Sequence, residues 1–226
     1  MNLDFIKENF EALRPNVPKD VCLVAVSKTH PAEYIQYSYD LGQRDFGENK
    51  VQELCDKAEQ LPKDINWHLI GHLQRNKVKY IAPFVHLIHS VDSEKLLKEI
   101  NKEAKKNERV IDCLIQVHIA EEESKFGFDV TKAEIFLTQE NVEEKYPNIR
   151  IKGLMGMATF TENTSQVKAE FDTLKTLFDK IKSSKKYTPH FDILSMGMSG
   201  DYEIAINCGS NMIRVGSTLY GNRNYQ

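Results

Sequence analysis

The chain has 226 residues and a mass of 26.0 kDa, of which 41% of residues are apolar and 28% charged. That composition is ordinary for a folded soluble protein and excludes a disordered one. Lys and Arg number 30 against 33 Asp and Glu, a formal net charge of −3, which argues against a dedicated nucleic-acid binder.

Taken in chain order, the pattern opens with an amphipathic helix from about residue 3 to 13, closed by Arg14-Pro15. Short apolar runs follow at residues 21–26, 44–47, 67–71 and 85–89. A helix at 94–106 carries Leu96, Leu97, Ile100 and Ala104 on one face, with Ser93 as its cap. The fifth run is 113–119. After it comes a helix holding Ala133, Phe136 and Leu137, with Thr131 expected to cap it. A sixth run at 151–158 precedes a helix at 166–182 bearing Val167, Phe171, Leu174, Phe178 and Ile181. Runs at 191–196 and 212–216 complete the pattern.

Most of these runs are continuous rather than alternating, as parallel strands covered on both faces require. Eight strands alternating with helices predict an α/β fold: a single (β/α)8 TIM-type barrel with an extra N-terminal helix, spanning 1–226 as one domain. A doubly wound open sheet is the alternative. It normally shows a Gly-rich turn after its first strand, and Ser27-Lys28-Thr29-His30-Pro31 is not one. There is no internal repeat and no low-complexity linker. Glu121-Glu122-Glu123 and Lys185-Lys186 read as solvated loop charges. No apolar run approaches the ~20 residues of a membrane span. Residues 1–5 show no basic region followed by an apolar one, so no secretory signal is expected. Cys22, Cys55, Cys113 and Cys208 form no Cys-x-x-Cys pair and read as reduced thiols of a cytoplasmic protein.

In such a barrel the chemistry lies at the C-terminal ends of the strands. Ser195-Met196-Gly197-Met198-Ser199-Gly200 and Gly216-Ser217 follow the last two strands, the usual position for a phosphate held by backbone N–H groups. Taken alone, Gly197 and Gly200 read equally as turn glycines. Lys28 stands directly after an apolar strand, where partial desolvation lowers an ammonium pKa and frees a nucleophilic amine. A lysine and a phosphate site in one barrel mouth suggest a Schiff base to a phosphorylated aldehyde, either a cofactor or a substrate. Arg214 alternates with apolar neighbours, so it points inward and needs a partner: a carboxylate, a phosphate or a heteroaromatic nitrogen.

Other signals are weaker. His68 and His72 lie on a strand end and a turn, and His86 and His89 have no Cys or carboxylate at ligand spacing, so no metal site is expected. Asn163-Thr164-Ser165 fits a glycosylation sequon, without meaning in a protein that is not secreted. There is neither a Walker loop nor a Gly-x-Gly-x-x-Gly.

Six segments carry a resemblance. They are Val26-Ser27-Lys28-Thr29, Phe46-Gly47-Glu48-Asn49, the run from Trp67 to Lys77, Lys125-Phe126-Gly127, Ser195 to Ser199, and Arg214-Val215-Gly216-Ser217. Together they resemble the YggS/PROSC family, the pyridoxal phosphate homeostasis proteins. The likeness runs from about residue 5 to 222. It implies a barrel like the N-terminal domain of bacterial alanine racemase, with pyridoxal 5′-phosphate held as a Schiff base on Lys28. It further implies phosphate contacts from Ser199, Gly216 and Ser217, with Ser195, Gly197 and Met198 in the same loop. Asn49 would lie beside the cofactor, and Arg214 would face the pyridine nitrogen.

An arginine keeps its proton, so a ring nitrogen facing Arg214 stays unprotonated and the ring is a poor electron sink. The resemblance also implies that the catalytic tyrosine of the racemase comes from a second, β-rich domain, for which the four residues after Gly221-Asn222 are expected to leave no room. The expectation is therefore a non-catalytic, monomeric binder that buffers the cofactor and hands it to apo-enzymes. A cofactor-dependent amino-acid racemase is the competing class.

Overall fold

The computed structural model describes residues 3–122, 126–139, 141–184 and 190–221. The expectations placed on Glu123, Lys125, Lys185, Lys186 and Asn222 lie outside these residues.

Eight parallel strands close on themselves: β1 Cys22–Val26, β2 Asp45–Glu48, β3 Asn66–Leu69, β4 Leu87–Val91, β5 Ile111–Gln116, β6 Ile149–Met155, β7 Ile193–Met198 and β8 Met212–Val215. Closure is the β1–β8 pairing, in register from Cys22 opposite Met212 to Ala25 opposite Val215. The outer helices are α1 Asp4–Leu13, α2 Ala32–Asp40, α3 Val51–Gln60, α4 Val78–Ile81, α5 Glu94–Lys106, α6 Val130–Gln139, α7 Val142–Lys145, α8 Thr164–Ser183, α9 Tyr202–Asn207 and α10 Ser217–Tyr220. The barrel and its extra N-terminal helix are those expected from the sequence.

Helix α1 buries Ile6, Phe10 and Leu13, and the Asn9 side chain donates to the Leu219 carbonyl at 2.9 Å. That bond ties the first helix to the last and covers one end of the barrel wall. Ser93 caps α5 by accepting from the Leu96 amide at 3.4 Å, as expected. Thr131 does not cap α6. It lies inside the helix, and the Asp129 carboxylate accepts from the amides of Thr131 and Lys132 at 3.0 and 3.2 Å. An aspartate two residues upstream outcompetes the threonine because its oxygen reaches those orphan donors from outside the first turn.

Two apolar regions result. The larger fills the space between strands and helices. The smaller lines the barrel interior with Val24, Leu87, Leu114, Met155 and Met212. Gly153 brings β6 against β7: a Cβ there would stand 1.8 Å from the Ile193 carbonyl oxygen, and its φ is +152°. No helix of the described residues is long and apolar enough to cross a membrane.

Candidate functional site at the barrel mouth

The C-terminal rim is assembled from residues far apart in sequence. Strand β1 ends at Val26, and Ser27 to His30 form a turn closed by the His30 amide donating to the Ser27 carbonyl at 3.1 Å. Lys28 sits half-buried in that turn. Its two neighbours are clamped by a buried ionic cluster. The Lys57 ammonium donates to the Ser27 carbonyl at 2.8 Å, and to Glu48 and Glu53 at 2.7 Å each. Ser27 Oγ donates to the same Glu48 oxygen at 2.7 Å, and the Thr29 amide donates to Glu53 at 2.6 Å. Thr29 is held at φ 68°, a costly conformation for a β-branched residue that the clamp must maintain. Burial pushes the Glu48 carboxyl up to about 7, although the Lys57 charge pulls it down. Its second oxygen is buried without a hydrogen-bond partner.

Strand β8 stands directly beside β1. Val26 packs on Gly216, where a Cβ would meet the Val26 carbonyl oxygen at 3.1 Å. The rim therefore brings the Lys28 turn next to Gly216-Ser217. The Gly216 amide donates to Ser199 Oγ at 3.1 Å and the Thr218 amide reaches the same oxygen at 3.5 Å. Two backbone donors at the start of α10 thus converge on one acceptor oxygen, the arrangement that an anion's oxygen requires. Ser217 is exposed and Asn49 half-exposed on this rim.

Arg214 points into the barrel, as its alternation with apolar residues predicts, and is 3% exposed. Nη1 donates to Ser195 Oγ at 2.7 Å and Nη2 to the Gly156 carbonyl at 3.0 Å. Burial lowers its pKa to about 10, against the pull of Asp201, so it remains a cation at neutral pH.

Three residues expected in the phosphate loop make other contacts in this structure. Ser195 lies inside β7, fully buried, with its hydroxyl between Arg214 and His89. The Met198 amide already donates to Asp201 Oδ1 at 2.5 Å. Gly197 is a packing glycine: at φ +95°, a Cβ would stand 2.6 Å from the Ala205 Cβ, so it lets the turn lie against α9. Ser195 already lies within the apolar run, and a register shift between Ser195 and Met198 carries β7 two residues beyond that run, to Gly197 and Met198.

The structure also gathers residues that sequence spacing gave no way to connect. His68 and His89 lie inside the barrel and share a 2.9 Å bond, and His68 Nε2 meets Asp45 Oδ1 at 3.0 Å. Asp45, His68 and His86 offer ligand atoms within 4.8 Å of one another, so a carboxylate stands beside His86 after all, contributed by another strand. His72 instead pairs with Asp92 at 3.0 Å and stacks on Phe126. All four cysteines are free thiols, and burial raises Cys22 to about 12 and Cys208 to about 11, which leaves them poor nucleophiles. A signal for the buried set was present: polar His68, His89 and Ser195 interrupt runs that otherwise read as core.

Residues 1–224 match the alanine racemase N-terminal domain family. The chain belongs to this family. A protein of Aquifex aeolicus strain VF5 named pyridoxal phosphate homeostasis protein is 40% identical over 210 residues, covering 90% of this chain and 87% of that relative. The resemblance seen in the sequence motifs is thereby confirmed across most of the chain. PipY of Synechococcus elongatus PCC7942 is 34% identical in a structure with PLP bound, with a TM-score of 0.85, covering 96% of this chain and all of that one. Alanine racemase of Bartonella henselae is 17% identical with a TM-score of 0.74, and this chain covers 60% of it; that likeness is one of fold.

Proposed function

We propose that this protein binds pyridoxal 5′-phosphate for intracellular homeostasis, holds it through a Schiff-base linkage to Lys28, and turns over no substrate at an enzymatic rate. The observation that carries the reading is the rim itself: an amine beside β1, two convergent backbone donors at Gly216 and Thr218, and a buried cationic guanidinium in one barrel mouth. The names of the relatives and the PLP-bound neighbour support it.

The residues present fit the group. Ser199 Oγ stands in for a phosphate oxygen in front of the Gly216 and Thr218 amides, and a side chain at Gly216 would collide with Val26. Bound, the cofactor supplies an aldehyde that condenses with an amine. Lys28 would provide that amine, its turn fixed on both sides by the Lys57 cluster. Ser199, Gly216 and Ser217 would hold the phosphate, with Gly197 shaping the loop rather than touching it. Asn49 would lie alongside. Arg214 would donate to the ring nitrogen and withhold the proton that carbanion chemistry needs. Ser195 belongs with Arg214, and Met198 contributes no free amide.

A carrier of this kind would act as a monomer in the cytoplasm and release the cofactor to apo-enzymes that require it. The test is borohydride reduction of protein loaded with pyridoxal 5′-phosphate, followed by peptide mapping. The label should fall on Lys28; a label on another lysine would refute the assignment.

A further inference from the structure

A continuous line of hydrogen bonds crosses the barrel interior. Arg214 Nη1 meets Ser195 Oγ at 2.7 Å, Ser195 Oγ meets His89 Nδ1 at 3.1 Å, His89 Nε2 meets His68 Nδ1 at 2.9 Å, and His68 Nε2 meets Asp45 Oδ1 at 3.0 Å. The four residues from His68 to Arg214 are almost wholly buried, and the Asp45 side chain is 26% exposed. Asp45 opens β2, at the rim opposite Lys28, whereas Arg214 lies one residue before the end of β8. The line therefore joins the two ends of the barrel through strands β2, β3, β4, β7 and β8.

Its chemistry fixes a direction. Burial pushes the Asp45 carboxyl up, but the hydrogen bonds it accepts from His68 and Asn66 help hold it below its ordinary value, so it is an anion and can only accept. His68 Nε2 must then donate, and in the tautomer that donates from Nε2 alone, Nδ1 accepts. His89 Nε2 donates into it. Burial above all, with the Arg214 cation nearby, keeps His89 neutral; with Nε2 donating, its Nδ1 accepts from the Ser195 hydroxyl. Ser195 has then spent its one proton, and its lone pairs are left for the Arg214 guanidinium. Every donor along the line points from Arg214 toward Asp45. Among the described residues no carboxylate lies within ion-pair distance of Arg214; Asp201 acts on it through space, and this relay links it to a carboxylate through hydrogen bonds.

We propose that Asp45, His68, His89 and Ser195 form a polarised hydrogen-bond relay that positions Arg214, so that a carboxylate at the far rim sets how the guanidinium meets its ligand at the mouth. Asp45 is a positioning residue: it acts through three intermediates and touches nothing at the mouth. The alternative geometry follows if the Asp45 acceptor is lost. His68 can then carry its proton on Nδ1, His89 donates from Nδ1, Ser195 accepts from both sides, and its own hydrogen turns away from the line. The relay itself is a property of the ligand-free chain. Its effect on the cofactor ring rests on the function proposed above.

The experiment is nitrogen NMR of the histidine rings in the full-length, ligand-free protein. His68 and His89 should both show a protonated Nε2 and a bare Nδ1. Asp45→Ala should move His89, which Asp45 does not touch, toward the Nδ1-protonated form. Where that variant fails to fold, the wild-type spectrum alone decides: His89 protonated at Nδ1 would overturn the proposal. In protein loaded with pyridoxal 5′-phosphate, Asp45→Ala should shift the absorption maximum and weaken binding about three- to tenfold, the loss of one ordinary hydrogen bond's worth of alignment. Competition by inorganic phosphate should be unchanged. An unmoved His89 in Asp45→Ala, or an unmoved absorption maximum, would overturn the relay. Borohydride labelling away from Lys28 would instead refute the function while leaving the ring tautomers as a separate result.

Discussion

Replacing Lys57 with methionine tests the claim that a buried ionic cluster holds the Lys28 turn in place. The substitution keeps the apolar stem and removes an ammonium whose side chain is 7% exposed, facing a Glu48 side chain that is 0% exposed. Removing one partner of a buried pair costs about 3–5 kcal/mol, because the other charge is left without compensation. Total stabilities are on the order of 5–15 kcal/mol, so the variant should fold but weaken clearly. Glu48 has an escape. Burial already pushes its pKa from 4.5 up to about 7, and without Lys57 it rises further. A raised pKa means that the folded chain holds the proton more tightly than the unfolded one. The resulting stabilisation is full below the unfolded value and is lost as the pH rises through the folded value. Lys57→Met should therefore cost about 3–5 kcal/mol on the alkaline side of that range. On the acid side the cost should shrink toward roughly 2 kcal/mol, the share of the lost hydrogen bonds. Urea unfolding followed by circular dichroism at the two pH values measures both. A loss under about 1 kcal/mol at alkaline pH, or a loss that grows on acidification, would refute the reasoning. Because the Ser27 carbonyl loses its donor and the Glu53 carboxylate that holds the Thr29 amide loses its partner, capture of the cofactor by Lys28 should slow in the same variant.

Three further outcomes are expected. Ser199→Ala and Ser217→Ala should weaken pyridoxal 5′-phosphate by roughly ten- to a hundredfold and hardly change capture of unphosphorylated pyridoxal, measured by absorbance titration; equal losses would show that these residues do not touch phosphate. Ser195→Ala should do the opposite, affecting both forms alike, because its hydroxyl serves Arg214 rather than the phosphate. Gly153→Ala would place a Cβ 1.8 Å from the Ile193 carbonyl oxygen, and should cost at least about 3 kcal/mol or a fall in Tm of roughly 6–12 °C; an unchanged melting curve would mean that β6 and β7 are not held at that spacing.

The eight strands were legible because a parallel strand covered on both faces is apolar along its whole length, whatever its partners. Their ends were less so. The runs at 113–119 and 151–158 outlast β5 and β6 by three residues each: Ala158 is buried beyond the end of β6, and Val117 pairs only through an isolated bridge to Phe128 and a bond to the Met155 carbonyl. Apolar character reports burial, not pairing. Ser195 lies inside the run at 191–196, yet its motif groups it with the loop; pairing with Met212 keeps it in β7, and the register shift beyond it extends the strand to Met198. Lys28, Arg214 and Ser199 were legible because a strand end or a break in alternation marks them locally. The relay was not, because its partners stand 21, 106 and 19 residues apart, and only closure of the barrel brings them together.

The relay bears on why this barrel has the interior it has. Barrels of this kind are filled by layers of branched apolar side chains, and here Val24, Leu87, Leu114, Met155 and Met212 supply one such layer. Beside it, two imidazoles, a hydroxyl and a guanidinium are buried at a desolvation cost that apolar residues of similar volume would avoid. Stability alone gives no reason to place them there. Their hydrogen bonds repay part of the cost only if each donor meets an acceptor, and the order of groups from Asp45 to Arg214 achieves this in one direction. A guanidinium so anchored keeps its charge and orientation whether or not a ligand is present. Under the carrier function proposed above, that preorganisation lowers the ordering cost of capture. The backbone donors at Gly216 and Thr218, proposed above for the phosphate, are equally preset, since they already converge on Ser199 Oγ. The interior thus spends stability to hold one face of the mouth ready for a planar, anionic guest.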